Sequence, residues 1–231
     1  MAAPKSEFDA YSQNYQKLVN QSVGFPGLTV DFFTQGKANF FNKRLGNTKG
    51  LKILDIGCGI GQIHPLIQNF ERSITGVDVS EESLKVAQAQ NPDNTYLPYD
   101  GRKLPFKDNS FDVALTICVM HHVPLQQWQN FACEMTRVVK PGGWIFIFEH
   151  NPYNPLTRLA VNRCPFDKDA VLLTAKKTER LLSSTGTELK FQSDYIFFTP
   201  FKHPWFQKID SFLRKLPLGG QYCTYGQKKV F

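Results

Sequence analysis

A glycine-rich segment stands where the first predicted strand ends. Asp55, Gly57, Gly59 and Gly61 alternate with other residues in the order DIGCGIG. Glycines in such a turn let a ligand lie against the backbone, and the helix that follows presents free N–H groups. A dinucleotide site uses the same device with the spacing GxGxxG, but the last position of that spacing is Gln62 here. The segment therefore predicts a nucleotide-like ligand and argues against a dinucleotide.

Two carboxylates follow the next two predicted strands. Asp78 ends the second strand in GVDVS, and Asp100-Gly101 follows the third. A carboxylate at the first of these places can accept both hydroxyls of a ribose, although Asp78 could instead cap the helix that begins near Ser80. Asp100 could accept a hydrogen bond from an adenine amino group, and the N–H of Gly101 could reach a ring nitrogen. Together the two positions predict a nucleoside ligand.

A repeating pattern of strands and helices must position these residues. Runs such as VALTICV and WIFIF are typical of strands that are covered on both faces. Their alternation with helices predicts βαβ units around a parallel sheet. The predicted strands are 52–56, 74–79, 95–99, 111–118, 144–150, 189–198 and 221–227. The predicted helices between them are 60–70, 81–90 and 126–139.

We expect a single domain over 1–231, with its cofactor-binding core at 51–150. Three segments lie outside this core. Residues 6–46 predict one or two helices ahead of the sheet. Residues 151–188 predict an insertion of short helices, and 189–231 predict the last two strands with a basic, aromatic helix between them.

Composition narrows the class of protein. With 231 residues, 42% of them apolar and 20% charged, the chain has the make-up of a globular protein. It has no apolar run long enough to span a membrane and no basic-then-apolar leader, so the expected location is the cytoplasm. The five cysteines form no CxxC pair, which argues against a disulfide framework and against a metal site.

Charge is concentrated in one segment of the chain. The formal net charge is +7, and residues 200–231 hold six basic residues against one acid. Within 200–218, aromatic residues alternate with basic ones, as in helices that lie on an anionic membrane surface. The alternative is a helix packed on the sheet with a solvated basic face. No RNA-binding motif accompanies the charge, so nucleic acid is not a favoured partner.

The motifs taken together resemble the class I S-adenosylmethionine-dependent methyltransferases. DIGCGIG, VDVS, NSFDVAL, VMHHV and VVKPGGWIFIFE occur in the right order from about residue 51 to 150. The most similar group is the small-molecule type that contains the quinone-biosynthesis methyltransferases. The resemblance implies an α/β fold, a Rossmann-like three-layer sandwich whose seven-stranded sheet is mostly parallel with an antiparallel last strand.

The resemblance also implies a cofactor, S-adenosylmethionine, with S-adenosylhomocysteine as the product. The methionine part of the cofactor would contact the glycine loop. Its ribose would contact Asp78, and its adenine would contact Val79 and Asp100. The full set of expected cofactor contacts is Tyr15, Asp55, Gly57, Cys58, Gly59, Asp78, Val79, Asp100, Gly101, Ile117, Cys118 and His122. Tyr15, or alternatively Tyr11, would cover the cofactor from the N-terminal helices, where Lys37 also lies.

Methyl transfer needs little further chemistry from the protein. The methyl group on a sulfonium is already electrophilic, so alignment and exclusion of water matter most, and a base is needed only if the acceptor loses a proton. His121 and His122 are the candidate catalytic residues because histidine titrates near neutral pH. The alternative is that they support the cofactor loop through hydrogen bonds. Glu149 and His150 end the fifth strand near the expected acceptor pocket.

The resulting hypothesis is an enzyme that methylates a small-molecule or lipid-linked acceptor. One alternative is a protein or RNA methyltransferase, which rests on the basic charge alone. Another is a module that binds S-adenosylmethionine without catalysis. The sequence predicts neither the acceptor nor an oligomeric state.

Overall fold

A seven-stranded sheet forms the centre of the molecule. The computed structural model describes residues 9, 15–23, 29–46, 48–67, 71–199 and 212–230. The strands are β1 Lys52–Ile56, β2 Ser73–Asp78, β3 Thr95–Pro98, β4 Phe111–Ile117, β5 Val139–His150, β6 Leu189–Ile196 and β7 Gln221–Lys228. Their order is β3-β2-β1-β4-β5-β7-β6; β1 to β5 pair in parallel, and β7 is antiparallel to both β5 and β6. The predicted mostly parallel sheet with an antiparallel last strand is confirmed.

Seven α-helices accompany the sheet in the described part of the chain. They are α1 Tyr15–Val23, α2 Val30–Leu45, α3 His64–Ile67, α4 Glu81–Gln90, α5 Trp128–Val138, α6 Pro155–Arg163 and α7 Ala175–Ser183. Several begin at a capping side chain: the hydroxyl oxygen of Ser80 accepts the N–H of Ser83, and Asn154 caps α6 ahead of its first-turn proline. Ser80 is thus the N-cap of α4, and Asp78 supports the same helix start by accepting the N–H of Ser80.

Two predicted boundaries differ from the structure by more than two residues. The helix expected over 60–70 is the single turn α3, because Gly61 has a φ of +69° and the chain runs through turns up to Ile63; residues 68–70 lie outside the described residues. Strand β5 begins at Val139 rather than at 144. Val139 pairs with Phe111, and the ladder then shifts register before Val113 pairs with Trp144.

Two apolar clusters cover the two faces of the sheet. Helices α5 and α7 pack on one face, where Met135 and Leu182 are almost fully buried. Helices α2 and α3 contribute Phe41 and Ile67 to the other face. This packing gives the three layers expected from the sequence.

The expected acceptor-side insertion, 151–188, is divided by this packing. Helix α6 and the short turn Pro165–Asp167 that follows it reach the cavity described below. Helix α7 instead packs against α5 and belongs to the helical layer. Its amphipathic pattern, with Leu181 and Leu182 on the buried side, accounts for that position.

The predicted membrane-surface helix over 200–218 lies mostly outside the described residues. Within 212–218, Phe212 is 88% exposed. Among the helices that the structure describes, none has the length and apolar character needed to cross a bilayer. The cytoplasmic location stays a prediction.

Candidate active site

A large cavity opens at the carboxyl ends of the strands. Its volume is about 790 Å³, and its walls come from the loops after β1 to β5 and from α1, α2 and α6. It is lined by Asp55, Gly57, Cys58, Gly59, Asp78, Val79, Asp100, Gly101, Ile117, Cys118, His121 and His122. These are all of the residues predicted for the site except Tyr15, whose side chain lies outside the described residues.

The glycine loop needs glycine for two different reasons. Gly57 has a φ of +73°, and a Cβ atom there would come within 2.5 Å of the Val119 side chain. Gly59 has a φ of +52°, and a Cβ atom there would meet nothing within 4 Å. The first glycine allows the loop to pack on the residues after β4. The second leaves open space against the backbone, where a ligand can lie.

Asp78 ties the glycine loop to the start of α4. Its Oδ2 accepts the N–H of Gly59 at 2.8 Å, and its Oδ1 accepts the N–H of Ser80 at 2.9 Å. Burial raises the pKa of Asp78, and these backbone N–H groups partly oppose that rise. Each carboxylate oxygen keeps a second acceptor site. Asp78 can therefore hold the loop and still accept ribose hydroxyls.

A buried chain of side chains lies beneath the same loop. His64 Nε2 is 3.0 Å from Asp55 Oδ2, and His64 Nδ1 is 2.7 Å from the hydroxyl of Tyr96. Asp55 lines the cavity, and its Oδ1 is buried without a hydrogen-bond partner in the part of the chain that the structure describes. An unpaired buried acceptor is costly, so this oxygen suits a ligand amino group or an ordered water.

The third predicted contact lies at the open rim of the cavity. Asp100 Oδ1 accepts the N–H groups of Lys103 and Arg102 at 2.9 and 2.8 Å, and these bonds lower the pKa of Asp100. Gly101 has a φ of +76°, and Val79 is 40% exposed beside it. A rigid carboxylate beside an exposed apolar side chain suits a planar polar ring. From the glycine loop to this rim, the residues fit the cofactor that the sequence resemblance implies.

The opposite half of the cavity is built around a buried ionic network. Glu149, at the end of β5, accepts the N–H groups of Val119 and Met120, and its Oε2 is 2.6 Å from His121 Nδ1. On the other side, Asp167 Oδ1 is 3.2 Å from His122 Nε2 and 3.6 Å from His121 Nε2. The network clamps the loop after β4 between β5 and the turn after α6.

Electrostatics within this network fix the charge on His121. Burial alone would lower the pKa of His121, but Glu149 and Asp167 raise it to about 10. Burial would likewise raise the pKa of Glu149 and of Asp167, yet the histidines hold both below their usual values. His121 is therefore an imidazolium that lies between the carboxylates of Glu149 and Asp167.

His150 has the opposite character. Burial and the charge on His121 lower the pKa of His150 to about 4, so its ring is neutral at physiological pH. Its Nδ1 is 3.2 Å from the side-chain amide nitrogen of Gln221, at the start of β7. Both residues line the cavity next to Cys118.

His121, His122 and Asp167 also form a group of metal-ligand type. One ligand atom from each lies within 4.8 Å of the others. The same atoms already serve as partners in the ion pairs described above. The absence of a metal site, expected from the cysteine pattern, stays a prediction.

Two residues of the site gave no signal in the sequence. His64 follows the glycine loop, but only the fold brings it onto Asp55 and Tyr96. Asp167 lies in the segment PFDKD and reaches the histidines through the turn after α6. A carboxylate within a few residues of proline and basic residues is common on surfaces, so local pattern could not single it out.

Comparisons with known proteins agree with this geometry. Residues 54–147 match the family described as "Methyltransferase domain". Over 109 residues the chain is 33% identical to a demethylmenaquinone methyltransferase of Tropheryma whipplei, a match that covers 46% of this chain and 45% of that one. It is 30% identical over 117 residues to a ubiquinone biosynthesis O-methyltransferase of Leptothrix cholodnii, covering 48% and 49%. The chain thus spans about half the length of the curated relatives that it matches.

The whole fold is also found among solved structures. An S-adenosylmethionine-dependent methyltransferase from Thermotoga maritima, described as a possible histamine N-methyltransferase, superimposes with a TM-score of 0.69. The alignment covers 96% of this chain and 98% of that one, at 20% identity. The likeness in fold therefore extends beyond residues 54–147 to the elements on both sides of them.

Proposed function

We propose that the protein transfers a methyl group from S-adenosylmethionine to an apolar small-molecule or lipid-linked acceptor. The first support is that residues 54–147 belong to the methyltransferase domain family. The observation that carries the proposal is the two-sided cavity. One half has the glycine loop and carboxylates that suit the cofactor, and the other half is walled by three helices.

The residues of the first half bind and orient the cofactor. Asp78 accepts the ribose hydroxyls, Gly59 leaves room for the methionine part, and Asp55 Oδ1 accepts from its amino group, directly or through a water. Bound there, S-adenosylmethionine supplies an electrophilic methyl group. Ile117, the last residue of β4, and Cys118, the first residue of the loop after it, line the cavity. They border the transfer point between the two halves.

The two histidines take different roles in this proposal. His121 is a positioning residue, because an imidazolium whose two nitrogens face Glu149 and Asp167 cannot accept a proton. His122 is half-buried, lines the cavity and lies 3.2 Å from the Asp167 carboxylate. It is the general base where the acceptor loses a proton on methylation.

The walls of the second half support an apolar acceptor. Phe32, Phe33 and Phe197 form an aromatic cluster with ring centroids 5.0–5.6 Å apart. Further apolar lining residues are Val19, Val23, Val30, Leu156, Leu159, Ala160, Val161, Phe166 and Phe198. The names of the two curated relatives, which concern quinones, point to acceptors of the same character.

Calorimetry with S-adenosylhomocysteine tests the cofactor half of the proposal. We expect saturable one-to-one binding, and no heat of binding at millimolar ligand would refute it. A labelled methyl donor in a lipid extract then tests transfer. We expect label in an apolar product, at a lower rate with His122→Asn, and label confined to protein or RNA would contradict the acceptor class.

A further inference from the structure

Helix α2 places a lysine inside the cavity. Lys37 is only 7% exposed and lines the cavity wall. Among the described residues, its one polar contact is a long one, 3.7 Å from Nζ to the sulfur of Cys118. No carboxylate oxygen lies within 4 Å of this ammonium group in the described part of the chain. Burying a cation without a partner costs free energy, so such a position is typical of a group that awaits an anionic ligand.

The neighbours of Lys37 identify which half of the cavity it serves. Cys118 follows β4, and Gln221 begins β7 beside His150 at the end of β5. The charge on Lys37 acts to lower the pKa of both Cys118 and His150. All of these neighbours belong to the β4–β5–β7 edge, and among the described residues none belongs to the glycine loop or to Asp78. Cys118 borders both halves of the cavity, whereas His150 and Gln221 lie on the acceptor side of it, so we assign Lys37 to the acceptor half.

No carboxylate of that half is paired with Lys37 in the described part of the chain. Glu149 and Asp167 lie on either side of His121 and pair with it, and Asp167 also pairs with His122. The carboxylates Asp55 and Asp78 lie with the glycine loop, on the cofactor side. Lys37 is thus a buried positive charge without an ion-pair partner among the described residues, in a pocket whose walls combine apolar side chains with polar ones such as Arg163.

A second unpaired group stands beside it. The side-chain oxygen of Gln221 is buried and has no hydrogen-bond partner among the described residues, while its amide nitrogen contacts Cys118 and His150 at 3.8 and 3.2 Å. An amide can present either end to a ligand, because oxygen and nitrogen exchange places by a flip. One ammonium and one amide suit a carboxylate, whereas a phosphate dianion is usually bound by more donors.

We propose that Lys37, assisted by Gln221, binds a carboxylate on the acceptor, so that the enzyme selects apolar molecules that carry one acidic group. This inference rests on the proposed function, because it assigns the acceptor half of the same cavity. The aromatic cluster Phe32–Phe33–Phe197 would hold the apolar body while Lys37 holds the acidic end. Together they would fix the orientation of the acceptor toward the methyl group.

Matched uncharged and charged probes test the proposal. Binding of decanoate and of decan-1-ol is measured by calorimetry on protein saturated with S-adenosylhomocysteine. We expect the wild type to prefer decanoate by at least tenfold, Lys37→Met to lose that preference while still binding the alcohol, and Lys37→Arg to keep part of it. Lys176→Met, at an exposed lysine of α7, is the matched control and should behave as the wild type. Thermal unfolding confirms that each variant is folded.

Three outcomes would overturn the inference. They are equal affinity of the wild type for the two probes, no binding of either, and an undiminished preference in Lys37→Met. A fourth concerns the donor, which also carries a carboxylate. If Lys37→Met weakens S-adenosylhomocysteine but not methylthioadenosine, which lacks the amino-acid part, then Lys37 binds the donor and the acceptor assignment is wrong. If the wild type does not bind S-adenosylhomocysteine, the proposed function is refuted. The binding of decanoate and of decan-1-ol is then compared in the absence of S-adenosylhomocysteine, which tests Lys37 independently.

Discussion

At the scale of single residues, Asp78 links the glycine loop to the start of α4 within the proposed cofactor site. Its two oxygens hold backbone N–H groups of the glycine loop and of α4. Sequence pattern was enough to single it out, because the residue that ends the second strand of such a fold lies beside the glycine turn. The pattern could not say that Asp78 also shapes the loop, since that depends on the distance between Gly59 and the carboxylate.

Replacing Asp78 by asparagine removes its negative charge while keeping the size of the side chain. Asp78→Asn should weaken S-adenosylhomocysteine by roughly 1.5–3 kcal/mol, the value of hydrogen bonds to a charged group, measured by calorimetry. Asp93→Asn, at an exposed turn residue, is the control and should leave the affinity unchanged. Equal affinities in the two variants would show that Asp78 makes no contact with the ribose.

Gly59 offers a paired test of the open space in the loop. Gly59 and Gly186 both have positive φ, and a Cβ at either would meet nothing within 4 Å. Each change to alanine should therefore cost about 1–2 kcal/mol of unfolding free energy through backbone strain. Only Gly59→Ala should also reduce the affinity for S-adenosylhomocysteine, by at least tenfold. A loss of affinity in Gly186→Ala as well would point to strain rather than to the cavity.

Prediction from sequence was weakest for residues that meet through the fold. Asp55, Gly57 and Gly59 are neighbours along the chain, so their pattern is visible. His64 and Asp167 act through partners on other elements, and Lys37 becomes notable only because α2 buries it. Burial and long-range pairing are properties of the packed chain, and local spacing does not carry them.

At the scale of elements, the loop after β4 depends on the end of β5. Glu149 accepts two N–H groups of that loop and pairs with His121, and the side chains of Glu149 and His121 are almost fully buried. The strands themselves were predictable from their apolar runs. The start of β5 was not, because Val139 is set by its pairing with Phe111 across a register shift rather than by its own sequence.

Loss of Glu149 should therefore destabilise the whole domain. Glu149→Ala leaves a buried imidazolium and two loop N–H groups without their partner, and it should lower the free energy of unfolding by about 3–5 kcal/mol. The control is Glu188→Ala, which removes an ion pair with Lys229 in which both side chains are more than half exposed and should cost less than about 1 kcal/mol. Urea unfolding measures both. Similar losses of unfolding free energy in the two variants would contradict the proposal that Glu149 holds the loop after β4 in place.

At the scale of the whole molecule, much of the basic charge near residue 231 is paired. Arg214 and Lys215 approach the buried carboxylate of Asp194, which Arg44 also contacts. Lys229 pairs with Glu188, and Lys228 donates to backbone carbonyls. The remaining basic residues of that segment, Lys202 and Lys208, lie outside the described residues. Membrane binding through 200–218 stays a prediction that sedimentation with anionic liposomes can test.

Global stability should depend on pH through the buried network. The pKa of His121 is raised from 6.5 to about 10 by Glu149 and Asp167, with His122 and His150 packed beside it. Because the pKa of His121 is raised in the folded state, its charged form stabilises the fold fully below pH 6.5. That contribution is lost as the pH rises toward 10. Urea midpoints should fall over this window, and fall less in His121→Gln. Parallel pH profiles for the two proteins would contradict a charged His121.

The strand order has a consequence for how the chain is made. Among the described strands, β7 comes last along the chain, yet it lies between β5 and β6 and pairs with both. While the ribosome is still translating, β6 has no partner among these strands and β5 has only one, until residue 228 has emerged. The part of the sheet formed by β5, β7 and β6 can thus close only late in synthesis, whereas β1 to β4 can pair earlier. Nascent chains should therefore expose the unpaired edge of β5, where chaperones or aggregation would act.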